Sequence, residues 1–129
     1  MKPELMWLLW AVALTVVQML IAVSGAMLQV GLPVLAGNRE GLPPCTGWVG
    51  RAMRAHRNML ENLVLFTALV LTAVVAGKTS EMTLLGAQLF VWARLVYAAI
   101  YLAGVPWVRT GAWSVSMIGL VLIFLQLVK

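Results

Sequence analysis

The sequence has few charged residues, one cysteine and no cluster of basic residues, and each scarcity excludes a class of protein. Charged residues make up 10% of the 129 residues, whereas a soluble domain has about 25%. Hydrophobic residues make up 63%, which is more apolar surface than a soluble fold of this size can bury. Lipid must therefore be the solvent for much of the surface, and we expect an integral membrane protein.

The lack of a basic cluster and the single cysteine exclude further kinds of function. The net charge is +5, but no Lys/Arg run with interleaved aromatic residues indicates a nucleic-acid partner. The single cysteine, Cys45, excludes an intramolecular disulfide. It lies in a loop sequence rich in glycine and proline, and no base can be assigned to make it a catalytic thiol. We expect no metal site.

Four apolar segments account for the whole chain. A spanning helix needs about 20 largely apolar residues, so four of them leave no separate soluble domain. We predict a single membrane domain over residues 1–129, an all-α bundle of four transmembrane helices at about 5–30, 49–76, 81–104 and 110–128. The first apolar run is too long for the hydrophobic part of a signal peptide, so we interpret it as a retained helix.

Glycine, proline and serine mark the predicted helix ends. Residues 37–47 (GNREGLPPCTG) form the longest polar connection and are typical of a loop. Ser80 is a candidate cap for the third helix, with Thr83 in place of the acidic residue usual in a capping box. We expect Pro106 to end that helix, because proline cannot continue the helical hydrogen-bond ladder.

Basic residues are unevenly distributed between the two ends of the predicted bundle. One end carries five arginines. Arg39, Arg51, Arg54 and Arg57 lie in the first loop and the start of the second helix, and Arg109 lies in the turn between the third and fourth helices. The opposite end carries Lys2, Lys78 and Lys129. The positive-inside rule then predicts that these two connections are cytoplasmic and that both termini lie outside the cytoplasm.

Polar residues inside two predicted spans are the strongest indication of function, because ionisable groups are costly in hydrocarbon. At about 100° per residue, one face of the second helix carries Arg51, Arg54, Asn58 and Glu61. Arg57 lies at the edge of that face and His56 points the opposite way. One face of the third helix carries Arg94, Tyr97 and Tyr101, at spacings of three and four residues.

The depths of these residues allow the two polar faces to meet. With a rise of about 1.5 Å per residue, Glu61 lies about 15 Å in from Arg51, and Arg94 lies about 22 Å in from Arg109. Arginine forks match carboxylates, a lone glutamate suits an ammonium group, and tyrosine and asparagine supply neutral hydrogen bonds. Glutathione, with two carboxylates, one ammonium group and one thiol, satisfies this set.

Some of the polar residues in the second and third helices also have an alternative, purely structural interpretation. Glu61 can pair with Arg54 or Arg94 as a lock between helices, and Arg51 can serve only as a topology charge. His56 suits a satisfied core position as well as a ligand contact. A transporter or channel subunit would also bury charges, but it would need polar residues along the full height of the bundle, which the fourth helix lacks.

Three motifs resemble the MAPEG family, the membrane-associated proteins of eicosanoid and glutathione metabolism, which include microsomal glutathione S-transferases and the leukotriene and prostaglandin E synthases. Residues 54–62 (RAHRNMLEN) are similar to the family's R-A-x-x-N-x-x-E signature. Arg94-x-x-Tyr97-x-x-x-Tyr101 is the second match, and residues 106–110 (PWVRT) are the third. The resemblance covers essentially the whole chain.

The resemblance implies a homotrimer with glutathione sites between neighbouring subunits, open towards the cytoplasm. It places the residue matching Arg109 near the thiol of a glutathione bound by the adjacent subunit. It turns His56 towards the neighbouring site. The predicted glutathione-binding residues are Arg54, His56, Arg57, Asn58, Glu61, Arg94, Tyr97, Tyr101 and Thr110, with Arg109 as the catalytic residue.

The leading hypothesis is a glutathione S-transferase active in detoxification, with glutathione as co-substrate and peroxide reduction as a possible second activity. Arg109 would stabilise the glutathione thiolate, and Thr110 would add a hydrogen bond. A hydrophobic electrophile or lipid would arrive from the membrane. The rival hypothesis is a non-enzymatic lipid-binding or scaffold protein of the same fold, since the family contains such a member.

Overall fold

Four long helices form the bundle in a computed structural model that describes all 129 residues. The elements in chain order are α1 (Pro3–Val30), α2 (Leu32–Ala36), α3 (Gly47–Val75), α4 (Glu81–Ala103) and α5 (Pro106–Leu127). All but the short α2 are long and apolar enough to cross a membrane, as the sequence predicts. The helix α2 lies in the first connection and has no counterpart in the prediction.

The turn between α4 and α5 differs most from expectation. Pro106 does not close α4; it begins α5, so the prediction that the last helix starts near Thr110 needs correction. Proline suits the first helical position because the N–H it lacks has no partner there anyway. Gly104, in the left-handed conformation with φ 82°, ends α4 instead. Arg109 and Thr110 are therefore held by helical backbone rather than by a loop.

At the opposite end, a reciprocal cap fixes the start of α4. The Ser80 N–H donates to the Thr83 hydroxyl oxygen at 2.7 Å, and the Thr83 N–H donates to the Ser80 hydroxyl oxygen at 3.4 Å. This capping box uses threonine where an acidic residue is usual, as predicted. The Thr83 hydroxyl also lies 3.2 Å from a carboxylate oxygen of Glu4, which is buried. The contact ties the first turn of α1 to that of α4.

Stacked aromatic rings form the centre of the apolar core. The rings of Phe66 on α3 and Phe90 on α4 lie 4.2 Å apart between centroids, at 16°. Met59, Val70 and Ile123 are the other large side chains of this cluster that are fully buried. The core holds α3, α4 and α5 together and therefore fixes the relative positions of the polar residues nearer the end of the bundle.

Two glycines let α4 and α5 approach each other closely. A Cβ atom on Gly119 would lie 2.5 Å from the carbonyl oxygen of Gly86 and 3.0 Å from the amide nitrogen of Phe90. These are backbone atoms of α4, which cannot move aside as a flexible side chain would. Only a residue without a side chain permits this spacing.

We expect Gly119→Ala to destabilise the bundle by about 1–3 kcal/mol, because the helices must separate or strain to admit the methyl group. Thermal unfolding in detergent micelles measures the loss. The matched control is Gly111→Ala in the same helix, where an added Cβ meets no atom within 4 Å. Alanine there is expected to be neutral or stabilising by about 0.5–1 kcal/mol. Equal stability of the two variants would contradict the close-packing argument.

Candidate functional site

Seven of the predicted residues lie in one half of the bundle, on three neighbouring helices. The residues are Arg54 and Asn58 on α3, Arg94, Tyr97 and Tyr101 on α4, and Arg109 and Thr110 on α5. The helical spacing of each motif places its members on one face. The short turn between α4 and α5 brings the last two residues back beside the tyrosines.

Arg94 is the most unusual residue of the group. It is only 1% exposed, and none of its three guanidinium nitrogens has a hydrogen-bond partner in the chain. Its guanidinium carbon lies 4.2 Å from the centroid of the Tyr97 ring. A cation over an aromatic face gains up to about 2 kcal/mol when desolvated, which is less than the several kcal/mol that burying a charge costs. The protein therefore places an uncompensated cation beside the site.

Tyr101 is the contact point between the three helices. Its ring meets the Tyr97 ring edge-on, with centroids 5.6 Å apart. The guanidinium carbon of Arg109 lies 4.3 Å from the centre of the Tyr101 ring. The Nε–H of Arg54 donates to the Tyr101 hydroxyl at 3.3 Å. Three cationic side chains therefore surround the two tyrosines. Arg54 and Arg109 contact Tyr101, and the buried Arg94 contacts Tyr97.

A cavity of about 290 Å³ opens between these side chains and is lined by Asn58, Tyr97, Arg109, Thr110 and Trp113. Sequence reasoning did not select Trp113. It lies four residues after Arg109, and that helical spacing was a signal that would have placed it on the same face. The cavity walls thus combine a cation, hydroxyl groups, an amide and an aromatic ring.

Asn58 is oriented by a residue that was left out of the predicted set. The side-chain amide of Asn62 donates to the Asn58 side-chain oxygen at 3.1 Å and to its backbone carbonyl at 2.8 Å. This bond fixes the orientation of the Asn58 amide, whose NH₂ group has two N–H donors for a ligand in the cavity. Asn62 itself is buried.

Comparison with protein families decides the identity. The family model described as "MAPEG family" matches residues 5–129. The chain belongs to the MAPEG family. Membership makes it an integral, multi-pass membrane protein and points to a membrane function in glutathione or eicosanoid metabolism. No curated protein and no solved structure matches the chain.

Two predicted residues of this MAPEG protein lie away from the tyrosines. His56 and Arg57 line a different cavity of about 450 Å³, which is mostly apolar and also includes Cys45. This second cavity lies between α1, α3 and the first loop. The cause is the helical rotation of about 100° per residue, which turns positions 56 and 57 away from the face of Asn58. A single chain therefore does not bring them into the same cavity.

Glu61 is also set apart from the group around Tyr101. It lies two turns further along α3 than Arg54, and its side chain is exposed on the surface of the single chain. Arg54 and Arg57 are exposed as well. A membrane protein that exposes three ionic side chains on one helix needs another polar surface or a ligand to cover them, because hydrocarbon cannot solvate them.

Proposed function

We propose that this MAPEG protein is a glutathione-dependent membrane transferase that conjugates, or reduces, hydrophobic electrophiles. The observation that carries the proposal is Arg94, which is buried and without a hydrogen-bond partner next to a cavity lined by polar side chains. A buried guanidinium is best compensated by an anion that forms forked hydrogen bonds. The proposed compensating anion is a carboxylate of bound glutathione.

The donor set fits the charges of glutathione. Arg54, Arg94 and Arg109 surround the two tyrosines, and together they exceed the single negative charge of Glu61. Glutathione with its thiol ionised carries two carboxylates, one thiolate and one ammonium group, so it would neutralise the excess. In this proposal Arg54 and Arg94 bind carboxylates and Glu61 binds the ammonium group, while Asn58, Tyr97 and Tyr101 supply neutral hydrogen bonds.

The proposed catalytic group is the Arg109 guanidinium. It lies on the wall of the cavity beside Thr110, and its position there is supported from the other side by the Tyr101 ring. The glutathione thiol loses its proton to solvent water more readily next to a fixed positive charge. The thiolate sulfur then donates an electron pair to the electrophilic carbon, and the leaving group departs with the electron pair of the broken bond. Arg109 stabilises the sulfur anion before that transfer.

The exposed ionic side chains of α3 support a homotrimer. In a bilayer, Arg54, Arg57 and Glu61 require a covering surface, and a second copy of the chain supplies one that is also polar. We propose that the cavity containing His56 and Arg57 faces the glutathione site of the neighbouring subunit. The excess of arginine at this end supports a cytoplasmic location for the proposed sites.

Glutathione binding and turnover test the proposal together. Purified protein in detergent micelles is expected to bind glutathione by calorimetry, at one molecule per site, and to conjugate it to a chlorodinitrobenzene with release of chloride. The control is a glutathione analogue with serine in place of cysteine, which should bind but not react. Absence of binding, together with saturable binding of a lipid, would overturn the proposal in favour of a non-enzymatic lipid-binding protein.

A further inference from the structure

The last turn of α4 has a backbone carbonyl that its own helix cannot satisfy. The carbonyl of Leu102 would ordinarily accept a hydrogen bond from the N–H of residue 106 if the helix continued. Residue 106 is a proline and has no N–H. The missing donor comes from another helix, because the Nε–H of Arg51 on α3 donates to the Leu102 carbonyl at 3.1 Å.

The same guanidinium also covers the glycine that ends α4. A Cβ atom on Gly104 would lie 3.4 Å from Nε and 3.5 Å from Cζ of Arg51. Gly104 has φ 82°, a conformation that glycine adopts without strain. A positive charge at a helix C-terminus is also favourable, because the carbonyl dipoles point towards it. Arg51 therefore caps α4 by hydrogen bond, packing and charge.

This cap lies next to the catalytic group of the proposed reaction. Only Gly104 and Val105 separate α4 from α5, and Arg109 follows within the first turns of α5. On the α4 side, Leu102 directly follows Tyr101, whose ring contacts the Arg109 guanidinium. A short, capped turn leaves little freedom between these two points, so the direction of α5 and the position of Arg109 depend on it.

We infer that Arg51 is a positioning residue, which acts through the α4–α5 turn to hold Arg109 where it stabilises the thiolate. The inference rests on the proposed function, since it assigns Arg51 a part in the same reaction. Arg51 does not line the cavity that contains Arg109, so in this inference it acts through the backbone of the turn. Displacement of a catalytic group by about 1 Å is enough to lower a rate by up to about a hundredfold.

A topology charge would behave differently. Arg51 is also one of the basic residues that favour a cytoplasmic location for this end of the bundle, and that role needs only a positive charge. A lysine at the position would serve topology fully but would only partly restore the cap, because it lacks the planar fork of arginine. The two roles are therefore separable by substitution.

The test compares Arg51→Met and Arg51→Lys with a matched control, Lys78→Met. Lys78 makes the same kind of contact at the other end of the bundle, where its ammonium group donates to the Leu127 carbonyl at 3.0 Å. For each variant we would measure the calorimetric affinity for glutathione, kcat with the chlorodinitrobenzene, and the pH midpoint at which bound glutathione becomes a thiolate by ultraviolet absorbance. Hydrogen exchange of residues 101–110 reports the turn directly.

We expect Arg51→Met to lower kcat roughly tenfold and to raise the pH midpoint of thiolate formation. Hydrogen exchange in the turn should become faster, while the affinity for glutathione should change less than about threefold. Arg51→Lys should recover part of each change, and Lys78→Met should show none. Loss of folded protein alone would lower the signal without moving the pH midpoint.

Two outcomes would separate the inference from the proposed function. If the unaltered protein binds and ionises glutathione but Arg51→Met keeps the same midpoint and kcat, Arg51 is not a positioning residue and the transferase proposal stands. If the unaltered protein does not bind glutathione, the transferase proposal fails, and the positioning role fails with it, even if exchange in the turn still shows that Arg51 caps α4.

Discussion

Replacing Arg109 with alanine is expected to lower kcat by about 10²–10³-fold, the usual cost of removing one group that stabilises a developing or bound anion. The guanidinium lies on the cavity wall and rests on the Tyr101 ring. Its loss removes a half-buried cation–π contact that contributes about 0.5–2 kcal/mol, so the bundle should still fold. The affinity for glutathione should fall much less than kcat, because the other arginines still bind the carboxylates.

The pH dependence of turnover shows in which direction Arg109 shifts the pKa of the glutathione thiol. A cysteine thiol without a stabilising charge has a pKa of about 8.5, and a neighbouring cation lowers it. Without Arg109, bound glutathione should remain largely protonated at neutral pH, and the rate should rise as the pH increases through the pKa of the free thiol. Turnover measured across this range, with Arg109→Lys as the charge-retaining control, checks the prediction. An alanine variant with undiminished turnover would remove Arg109 from its catalytic role.

Replacing Arg94 with methionine is expected to abolish tight glutathione binding without weakening the fold. Methionine resembles the aliphatic part of arginine and carries no charge. Deleting one partner of a buried charge pair costs about 2–5 kcal/mol in binding, which corresponds to a loss of affinity of roughly 30-fold or more. Within the chain, however, the Arg94 nitrogens have no hydrogen-bond partners. Removing such a charge relieves a desolvation cost, so the ligand-free variant should unfold at the same temperature or higher.

Two measurements distinguish a ligand-binding arginine from a structural one. Thermal unfolding without glutathione reports the fold, and the increase in unfolding temperature on adding glutathione reports binding, since a ligand that binds only the native state stabilises it by mass action. The comparison variant is Arg54→Met, which removes the other arginine proposed to bind a carboxylate, but one that is exposed and donates to Tyr101. We expect it to weaken binding less. A large loss of stability in ligand-free Arg94→Met, with binding intact in the folded fraction, would contradict the assignment.

Helix periodicity explains why much of the candidate site could be predicted from the sequence. Spacings of three and four residues put Tyr97 and Tyr101 on one face of α4, and the structure places their rings in contact. The same argument set His56 apart from Asn58, and the two residues line different cavities. These relations depend only on the rotation per residue within one helix, so they do not require knowledge of the fold.

Relations between helices were harder to predict. The cap on α4 joins Arg51 to Leu102 across 51 positions of sequence, and periodicity within either helix contains no information about such a contact. Glu4 illustrates the same limit, because its contact with Thr83 depends on how the first turns of α1 and α4 meet. Pro106 was misplaced for a local reason: proline disfavours both the interior and the end of a helix, yet it is favoured at the first position of the next one.

The sequence by itself determined that the chain is a bundle of four apolar helices, because composition and segment length leave lipid as the only suitable solvent for so much apolar surface. It also determined which polar residues share a face, since the helix fixes that rotation locally. Only the tertiary structure decided that Arg94 is buried without a hydrogen-bond partner, that Trp113 joins the cavity and that Arg51 caps a neighbouring helix. Those properties arise from packing between helices, where the position of each side chain depends on residues distant in sequence.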